Sequence, residues 1–484
     1  MRHYYTAGQI RAAEAPLLER LPDGVLMRRA ATGLAGAIAA ELRRRTAGLA
    51  GRSVCAVIGS GDNGGDALWS ATILRRRGVA ASAILLDPDR THARALTAFR
   101  SAGGRVVTTL PGVVDLVIDG VVGISGTGPL RPAAAEVFAA VAAAGIPVVA
   151  VDIPSGIDVH TGELTGPAVR ADLTVTFGGL KPVHALADCG RVELVDIGLD
   201  LPETDLLGLD TADVRTLWPR PGPQDDKYTQ GVVGIVAGSA AYPGAAILCS
   251  GAAVAATSGM VRYAGPAAAE VVSHWPEVVA SPGAAAAGRV QAWAVGPGLG
   301  TDEAAVSALT AVLGSDLPVI VDADGLTILA GHPDLLTRRA APTVLTPHAG
   351  EYARLASGVG LPATSDGHRV GADRVAAARR LARATGATVL LKGNVTVIAD
   401  PGNGPTFLNP AHGSWAATAG SGDVLSGIVG ALLAAGVAPA QSAAAAAFVH
   451  ARAANAAAAD PGPVPVPISA SRILAHIRFA LANL

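Results

Sequence analysis

The sequence has few cysteines and few aromatic residues. Its three cysteines, Cys55, Cys189 and Cys249, are far apart and form no Cys-X-X-Cys or Cys/His cluster. This spacing argues against a disulfide framework and against a zinc site, and it favours a reducing compartment, the cytoplasm. Aromatic residues make up 4% of the chain against 59 glycines. That composition is typical of a compact α/β protein with many tight turns.

Net charge and long hydrophobic runs are also scarce. The formal net charge is −2 over 484 residues, so neither nucleic acid nor an anionic membrane surface is an expected partner. The apolar stretches 133–151 and 431–449 each contain a proline and a polar residue, and the first fifteen residues lack the apolar core of a signal peptide. We therefore expect small-molecule partners and no membrane span, and we expect a homo-oligomer.

Lysine is the scarcest charged residue. Lys181, Lys227 and Lys392 are the three lysines among 37 basic residues. Coding bias is one explanation. The other is that a retained lysine places a compact charge in a tight phosphate site, where the planar fork of arginine fits less well. Both explanations stay open.

The length and the pattern of apolar runs predict two domains. A chain of 484 residues exceeds the size of one ordinary core. Short β-branched runs alternate with alanine-rich helical stretches on both sides of a proline-rich, charged segment at 218–228, and helical patterning precedes them at 11–45. The strand candidates are 54–58, 81–86, 115–120, 146–154 and 172–177 in the first half, and 232–238, 292–298, 317–325, 342–348 and 388–400 in the second.

Continuous apolar strands separated by helices indicate parallel sheets covered on both faces. We predict an α/β chain with one domain at 1–217, a linker at 218–226 and a second domain at 227–484.

A glycine-rich turn runs directly into an apolar helix at residues 418–436. Free backbone N–H groups and the helix dipole would meet there, which suits a phosphate group. Asp423 falls in the first turn, where its carboxylate could take a hydroxyl proton during phosphoryl transfer. The alternative is an ordinary helix cap.

Three further motifs, VGPGLG (295–300), TPHAGE (346–351) and LKGNVT (391–396), leave polar residues where apolar strands end. Open α/β sheets bind ligands at that edge.

In chain order, VGPGLG, DADGL (322–326), TPHAGE, LKGNVT and the glycine-rich turn GSGDVLSG resemble the NAD(P)H-hydrate dehydratase family of the ribokinase-like superfamily, from about Lys227 to the end. The resemblance implies a ribokinase-like α/β domain in which Asp423 is the catalytic base and Mg²⁺ accompanies ADP or ATP. It implies a nucleotide site at Lys392, Gly393, Asn394, Val395, Thr396 and Gly422, and contacts to the hydrate from Ala245, Gly298, His348 and Asp423.

The N-terminal half contains a literal Gly-X-Gly-X-X-Gly at Gly59, Gly61 and Gly64, which alone would indicate a dinucleotide-binding dehydrogenase. The pattern continues as GGD, however, and is joined by VDIPSG at 151–156.

With AAEA (12–15), LMRRA (26–30) and SGTGPLR (125–131), these motifs resemble the NAD(P)H-hydrate epimerase family over about residues 5–200. The resemblance implies a Rossmann-like three-layer α/β/α domain with Asp152 as the catalytic acid/base residue. It implies that the damaged cofactor is bound by Asp62, Asn63, Gly64, Gly65, Asp66, Gly123, Thr127 and Gly128. It also implies K⁺ held by Asn63, Asp119 and Ser155, all oxygen ligands that suit a hard cation. For Asp119 and Asp152 the structural alternative is a cap at the end of a strand.

Together the two resemblances imply repair of hydrated NADH and NADPH: the N-terminal domain interconverts the R and S hydrates, and the C-terminal domain dehydrates the S form at the expense of ADP or ATP. The alternative is a small-alcohol or vitamin kinase of the same superfamily fused to a non-catalytic nucleotide-binding domain. The choice between ADP and ATP and between NADH and NADPH stays open.

Overall fold

The computed structural model describes residues 1–46, 48–124, 126, 128–257, 259–363 and 367–484. It divides into two compact units. The N-terminal unit comprises residues 3–204, and the C-terminal unit comprises residues 1–2 and 205–484. Within these ranges no helix is both long enough and apolar enough to cross a membrane.

The N-terminal unit contains a seven-stranded parallel sheet in the order β4-β3-β2-β5-β6-β7-β8. The first elements along the chain are β1 (Arg2–His3), α1 (Ala7–Arg20), α2 (Val25–Thr46), β2 (Ser53–Ile58), α3 (Asp62–Arg76), β3 (Ala80–Leu85), α4 (Ala93–Ser101), β4 (Arg105–Val107), β5 (Leu116–Gly120), α5 (Pro132–Ala143), β6 (Val148–Val151), β7 (Leu173–Phe177), α6 (Val183–Leu186) and β8 (Arg191–Val195).

Alternate residues of β2 show how the two faces of this sheet are covered. Val54 and Ile58 pack in one core with α2, α3 and α4, whereas Cys55 and Val57 pack with Phe138 of α5 in another. A strand buried on both faces is expected to read as a continuous apolar run. The Rossmann-like three-layer prediction is confirmed.

The helical patterning at 11–45 forms two helices rather than one. They are separated at residues 21–24, where Pro22 lacks an N–H group and Gly24 has a φ of 74°. Both features disfavour a continuous helix.

The C-terminal unit is built on a longer, mixed sheet in the order β1-β9-β18-β17-β16-β15-β14-β13-β10-β11-β12. Its elements are β9 (Leu206–Gly208), α7 (Thr211–Leu217), β10 (Val232–Val236), α8 (Pro243–Ala256), β11 (Met260–Ala264), α9 (Ala268–His274), β12 (Val279–Ser281), β13 (Ala292–Val295), α10 (Glu303–Leu313), β14 (Val319–Val321), α11 (Asp324–Gly331), α12 (Asp334–Thr337), β15 (Thr343–Leu345), α13 (Ala349–Gly358), α14 (Arg374–Thr385), β16 (Thr388–Leu391), β17 (Val395–Ala399), β18 (Thr406–Pro410), α15 (Ser421–Ala434), α16 (Pro439–Ala459) and α17 (Ala470–Ala482).

The strand candidate at 388–400 is corrected by the structure. It forms the two antiparallel strands β16 and β17, joined by a turn at 392–394. Arg374 Nη2 donates to the Lys392 oxygen at 2.9 Å, and the Ala411 N–H donates to the Asn394 oxygen at 2.9 Å. These bonds fix the turn, so Lys392 stands at the carboxyl end of β16.

The two units differ from the predicted domain limits at residues 205–217. This stretch clusters with the C-terminal unit, where β9 pairs in parallel with β18. Trp218, placed in the predicted linker, is buried and donates from Nε1 to the Ala256 oxygen at 2.9 Å.

Candidate active sites

The turn between β2 and α3 brings backbone segments into very close contact. A Cβ atom on Gly59 would lie 2.0 Å from the Val121 oxygen, and one on Gly64 would lie 2.4 Å from the Gly59 oxygen. Side chains are therefore excluded at both positions. The next residues open α3: Asp62 is exposed in its first turn, and Asp66 is buried one turn later.

Asp119, at the end of β5, is fully buried and tied to Ser155. Ser155 donates to it from N at 2.8 Å and from Oγ at 2.7 Å, and the Val121 N–H donates at 3.2 Å. Burial raises the pKa of Asp119 to about 6, although the Ser155 hydrogen bonds oppose the rise. Asn63 reaches the same loop, because its Nδ2 donates to the oxygens of Val122 at 3.0 Å and Val151 at 2.7 Å.

Asp152 follows β6 with a φ of 68°, a conformation that non-glycine residues rarely adopt. Its Oδ1 accepts from Lys181 Nζ at 2.6 Å and from Thr176 Oγ1 at 2.9 Å. Burial alone would raise the pKa of Asp152, but the Lys181 ammonium holds it below its ordinary value. The carboxylate is therefore ionised in the folded protein near neutral pH.

A cavity of about 700 Å³ is lined by four other acidic residues of this unit, Glu14, Asp23, Asp62 and Asp66. Burial and the neighbouring Asp152 charge raise the pKa of Asp66 well above its ordinary range, and burial also raises the pKa of Glu14. Oδ1 of Asp66 is buried without a hydrogen-bond partner. The unit therefore contains one carboxyl with a lowered pKa, Asp152, near two carboxyls with raised pKa values, Asp66 and Glu14. Such a contrast is typical of acid/base sites.

The cofactor-binding residues predicted near residue 125 are only partly described. A Cβ on Gly123 would lie 2.4 Å from Asn63 Oδ1, so the loop can approach α3 only because glycine stands there, and Gly128 has a φ of 79°. A Cβ on Gly65 would lie 2.9 Å from Met27 Cε, so this glycine also packs closely against a neighbouring side chain. Thr127 lies outside the described residues.

In the C-terminal unit, Asp423 lies in the first turn of α15. The N-cap is Gly420, with a φ of 82°, and the helix end has no side-chain cap. Burial, with a smaller contribution from Asp322, raises the pKa of Asp423 to about 7. The helix-cap interpretation is therefore wrong for this residue, and a carboxyl that titrates near neutrality is suited to general base catalysis.

Lys392 is not an isolated cation. Its Nζ donates to Asp322 Oδ1 at 2.7 Å and lies 3.6 Å from Glu351 Oε2. Burial lowers the pKa of Lys392, but these two carboxylates raise it above its ordinary value. Ser426 Oγ donates to Asp322 Oδ2 at 2.8 Å. The ion pair of Lys392 and Asp322 lies next to the start of α15, because a Cβ on Gly422 would be 3.5 Å from Lys392 Nζ.

The residues predicted to contact the hydrate are brought together only in part. Gly298, with a φ of 61°, packs against α8, where a Cβ atom would be 2.7 Å from the Ala245 Cβ. His348 caps α13, since its Nδ1 accepts from the N–H groups of Gly350 at 2.9 Å and Glu351 at 3.3 Å. Its side chain is nevertheless 56% exposed, so the cap leaves the ring accessible to a ligand.

The remaining residues predicted to bind nucleotide line one hairpin. Gly393 and Asn394 form the turn after Lys392, and Val395 and Thr396 begin β17. A Cβ on Gly393 would lie 2.5 Å from Arg374 Nη2, so a larger residue there would displace the side chain that donates to the Lys392 oxygen.

Sequence reasoning did not assign several residues that the structure places in these sites: Thr176, Lys181, His184, Asp322, Glu351 and Ser426. The rarity of lysine was a usable signal for Lys181. Asp322, Glu351 and Ser426 lie in the segments 322–326, 346–351 and 418–436 that the sequence pattern marks, but their contacts, like those of Thr176 and His184, are visible only in the fold.

Two families match the chain. The family described as YjeF-related protein N-terminus matches residues 23–183, and NAD(P)H-hydrate dehydratase matches residues 233–476. The bifunctional NAD(P)H-hydrate repair enzyme of Mycobacterium tuberculosis is 72% identical over the whole of both chains. That of Corynebacterium glutamicum is 38% identical, over 90% of this chain and 87% of the other.

A solved structure, an ADP/ATP-dependent NAD(P)H-hydrate dehydratase from Bacillus subtilis co-crystallised with ATP and Mg²⁺, aligns with 25% identity and a TM-score of 0.49, over 58% of this chain and 99% of that one.

The fold and the family matches define an enzyme with a Rossmann-like N-terminal part and a C-terminal α/β part that matches the NAD(P)H-hydrate dehydratase family. The chain belongs to the family of bifunctional NAD(P)H-hydrate repair enzymes. The resemblance found in the sequence is confirmed, and the alternative of a vitamin kinase fused to a non-catalytic domain is not favoured.

Proposed function

We propose that the N-terminal unit interconverts the R and S hydrates of NADH and NADPH through Asp152, and that the C-terminal unit dehydrates the S form through Asp423. The observation that supports this most is the contrast between the two carboxyls. Asp152 is held ionised by Lys181, whereas the pKa of Asp423 is raised to about 7 at the start of a helix.

Dehydration requires a leaving group, because the hydroxyl on ring carbon 6 departs poorly. Asp423 takes the hydroxyl proton while the oxygen attacks the terminal phosphoryl group of ADP or ATP. Lys392 and the free N–H groups around Gly422 offset the charge that develops on the phosphoryl oxygens. Phosphate then leaves with its bonding electrons, the ring nitrogen supplies the electron pair, and loss of a proton from carbon 5 restores the dihydronicotinamide.

Lys392 and Gly422, with residues 393–396 of the hairpin, would hold the nucleotide together with its Mg²⁺. Mg²⁺ takes most of its ligands from phosphate oxygens and water in such complexes and neutralises their charge. Within the described ranges no group of three His, Cys, Asp or Glu side chains is arranged to hold a metal ion. An ion that arrives on the nucleotide requires no such group, so the residues fit this use of Mg²⁺.

Epimerisation can proceed by opening and closing of the ring. Asp152 takes the proton of the hydroxyl on carbon 6, the C6–O bond becomes a carbonyl, and the C6–N1 electrons move to the nitrogen, which receives the proton. Rotation about the C5–C6 bond presents the other face of the aldehyde, and closure by the reverse steps gives the other epimer. No further reactant is needed.

We propose K⁺ at Asn63, Asp119 and Ser155. The donor set fits, because the hydrogen bonds that the fully buried Asp119 receives from described residues come from neutral groups only, so the carboxylate has a local negative charge to balance. Amide, hydroxyl and carboxylate oxygens are hard ligands. When bound, the ion would hold the first turn of α3, which contains Asn63, and the loop that contains Ser155 next to Asp152.

We make two further proposals, which concern the cellular compartment and the oligomeric state. Three free, buried cysteines fit a reducing compartment, which supports action in the cytoplasm. Assembly into a homo-oligomer stays a prediction.

The proposal is tested by incubating the chain with each purified hydrate epimer, with and without nucleotide. Without nucleotide, either epimer should become a mixture. With ADP or ATP, dihydronicotinamide absorbance should return. A stable phosphorylated product in place of that absorbance would support a kinase instead.

A further inference from the structure

Lys181 is a buried lysine whose ammonium group is fully engaged by the protein. It is 1% exposed, and its Nζ donates to Asp152 Oδ1 at 2.6 Å, Thr176 Oγ1 at 2.8 Å and the Phe177 oxygen at 3.1 Å. An ammonium group has three protons. All three are therefore used, and the nitrogen has no free direction toward a ligand.

These contacts make the two oxygens of Asp152 unequal. Oδ1 accepts from both Lys181 and Thr176, while Oδ2 accepts no hydrogen bond within the described ranges. Oδ2 does not belong to the fully buried side-chain atoms without a partner, so part of its surface is exposed. Oδ2 is thus the oxygen that remains accessible in the site.

The backbone of Asp152 is fixed as well. His184 Nδ1 accepts from the backbone N–H of Lys181 at 2.9 Å, so the ring proton is on Nε2. This Nε2–H donates to the backbone carbonyl oxygen of Asp152 at 2.8 Å. Burial, reinforced by the Lys181 charge, lowers the pKa of His184 to about 4, so the ring is neutral. A strained φ that is held by several bonds is a common feature of functional residues.

We propose that Lys181 is the positioning residue of the epimerisation: it fixes Oδ1 of Asp152 together with Thr176, so that the substrate proton is exchanged at Oδ2 alone. The inference rests on the proposed function of Asp152. It assigns no direct contact between Lys181 and the substrate.

The charges around Asp152 explain why a cation is needed there. Glu14 of α1 and Asp62 and Asp66 of α3 interact electrostatically with this site, and His184 of α6 and Lys181 after β7 face Asp152. Asp66 has no cationic partner in the described part of the chain and its pKa is raised by burial, whereas the Lys181 ammonium keeps the pKa of Asp152 low. Lys181 therefore selects which buried carboxyl carries the charge.

Full engagement of the ammonium also protects the reaction. Ring opening gives an aldehyde, and an amine with a free electron pair would condense with it, as catalytic lysines do in Schiff-base enzymes. Three donated hydrogen bonds leave Lys181 no such electron pair. The site thus contains a positive charge without containing a nucleophile.

The test uses the full chain with K⁺ and purified R hydrate, without nucleotide, so that the C-terminal unit is idle. Epimer interconversion is followed chromatographically from pH 5 to pH 9 for the wild type, Lys181→Met and Thr176→Val. Thr176→Val is the matched control, because it removes one hydrogen bond to Oδ1 and keeps the ammonium charge.

For Lys181→Met we expect kcat at pH 7 to fall about 100-fold with little change in KM, since the base is largely protonated. The rate should then rise about tenfold per pH unit where the wild type is flat. Thr176→Val should lose less than about tenfold and keep the wild-type pH profile. An equal loss at every pH, or the same loss in both variants, would overturn the proposal.

Lys181→Arg provides a second test if Lys181→Met does not fold by circular dichroism. It keeps the charge but replaces a compact ammonium by a planar fork, so kcat should fall while the acid limb stays in place. A full rate in this variant would overturn the positioning role. A wild-type chain that does not interconvert the epimers would instead contradict the proposed function, and this inference would fall with it.

Discussion

Replacing Asp423 by asparagine should stabilise the protein while it inactivates the dehydratase. A carboxyl whose pKa rises from 3.8 to about 7 on folding binds its proton more tightly in the folded state. The ionised form is therefore disfavoured there, and the cost grows as pH rises above 3.8. Asparagine keeps the volume of the side chain and removes the charge.

The magnitude follows from the two pKa values. The raised pKa of Asp423 lowers the free energy of unfolding by about 2 kcal/mol at pH 5 and about 4 kcal/mol at pH 8, because each tenfold change in proton affinity corresponds to about 1.4 kcal/mol. Asp423→Asn should gain those amounts in free energy of unfolding. Dehydration should fall by about 10² to 10⁴, as for loss of a general base.

Denaturant unfolding at pH 5 and pH 8 measures the stability change, and absorbance recovery with purified S hydrate measures the activity. Asp334→Asn, an exposed acid of the same unit, is the control for loss of one negative charge. Near-normal turnover in Asp423→Asn, or a stability gain that does not grow between pH 5 and pH 8, would refute the assignment of Asp423 as a base with a raised pKa.

The remaining predictions concern the nucleotide, the potassium ion and the separability of the two units. Lys392→Ala should weaken ADP and ATP binding about 10- to 100-fold in calorimetry, as expected for a lost charge-assisted contact, with a smaller effect on hydrate binding; unchanged nucleotide affinity would count against the site. Replacing K⁺ by Li⁺ should slow epimerisation in the wild type but not in Asp119→Asn, whose rate should be low with either ion; equal wild-type rates with both ions would remove the proposed potassium site. A fragment spanning residues 205–484 should dehydrate the S hydrate and stop, and adding residues 1–204 in trans should restart the reaction. Asp152→Ala in the added fragment should prevent the restart, whereas equal consumption of both epimers by the C-terminal fragment alone would leave the epimerase without a role.

Much of the fold could be predicted because a few neighbouring residues in the sequence are enough to identify its core strands. Each central parallel strand, such as β2 and β5, is a continuous apolar run followed by glycine or aspartate, which marks both the strand and the ligand-binding edge. The same locality identified Asp423, since a glycine-rich turn that runs into an apolar helix is readable within one short segment.

Features that depend on distant partners could not be predicted. Lys392 and Asp322 are 70 residues apart, and Lys181 and Asp152 are 29 apart. No local pattern shows that these charges meet. The hairpin of β16 and β17 was missed because both strands are apolar and the turn at 392–394 had been interpreted only as a binding motif.

The rarity of lysine has a structural counterpart at two of the three positions. Lys181 neutralises Asp152, a candidate catalytic carboxylate, and Lys392 neutralises Asp322, which lies near the candidate catalytic Asp423, while Lys227 is exposed next to Tyr228. A compact ammonium can satisfy several acceptors in a tight, buried space, which the fork of arginine does less well.

The central claim is that one chain repairs both epimers by two coupled sites. The most direct measurement supplies the full chain with an equal mixture of R and S hydrates and ADP or ATP, and follows the absorbance of the dihydronicotinamide. We expect complete recovery, with Asp152→Ala falling to a slow phase after about half the substrate has reacted, because the S form is consumed and the R form is left to spontaneous epimerisation. Complete recovery at the wild-type rate in Asp152→Ala, or no recovery by the wild type, would contradict the claim.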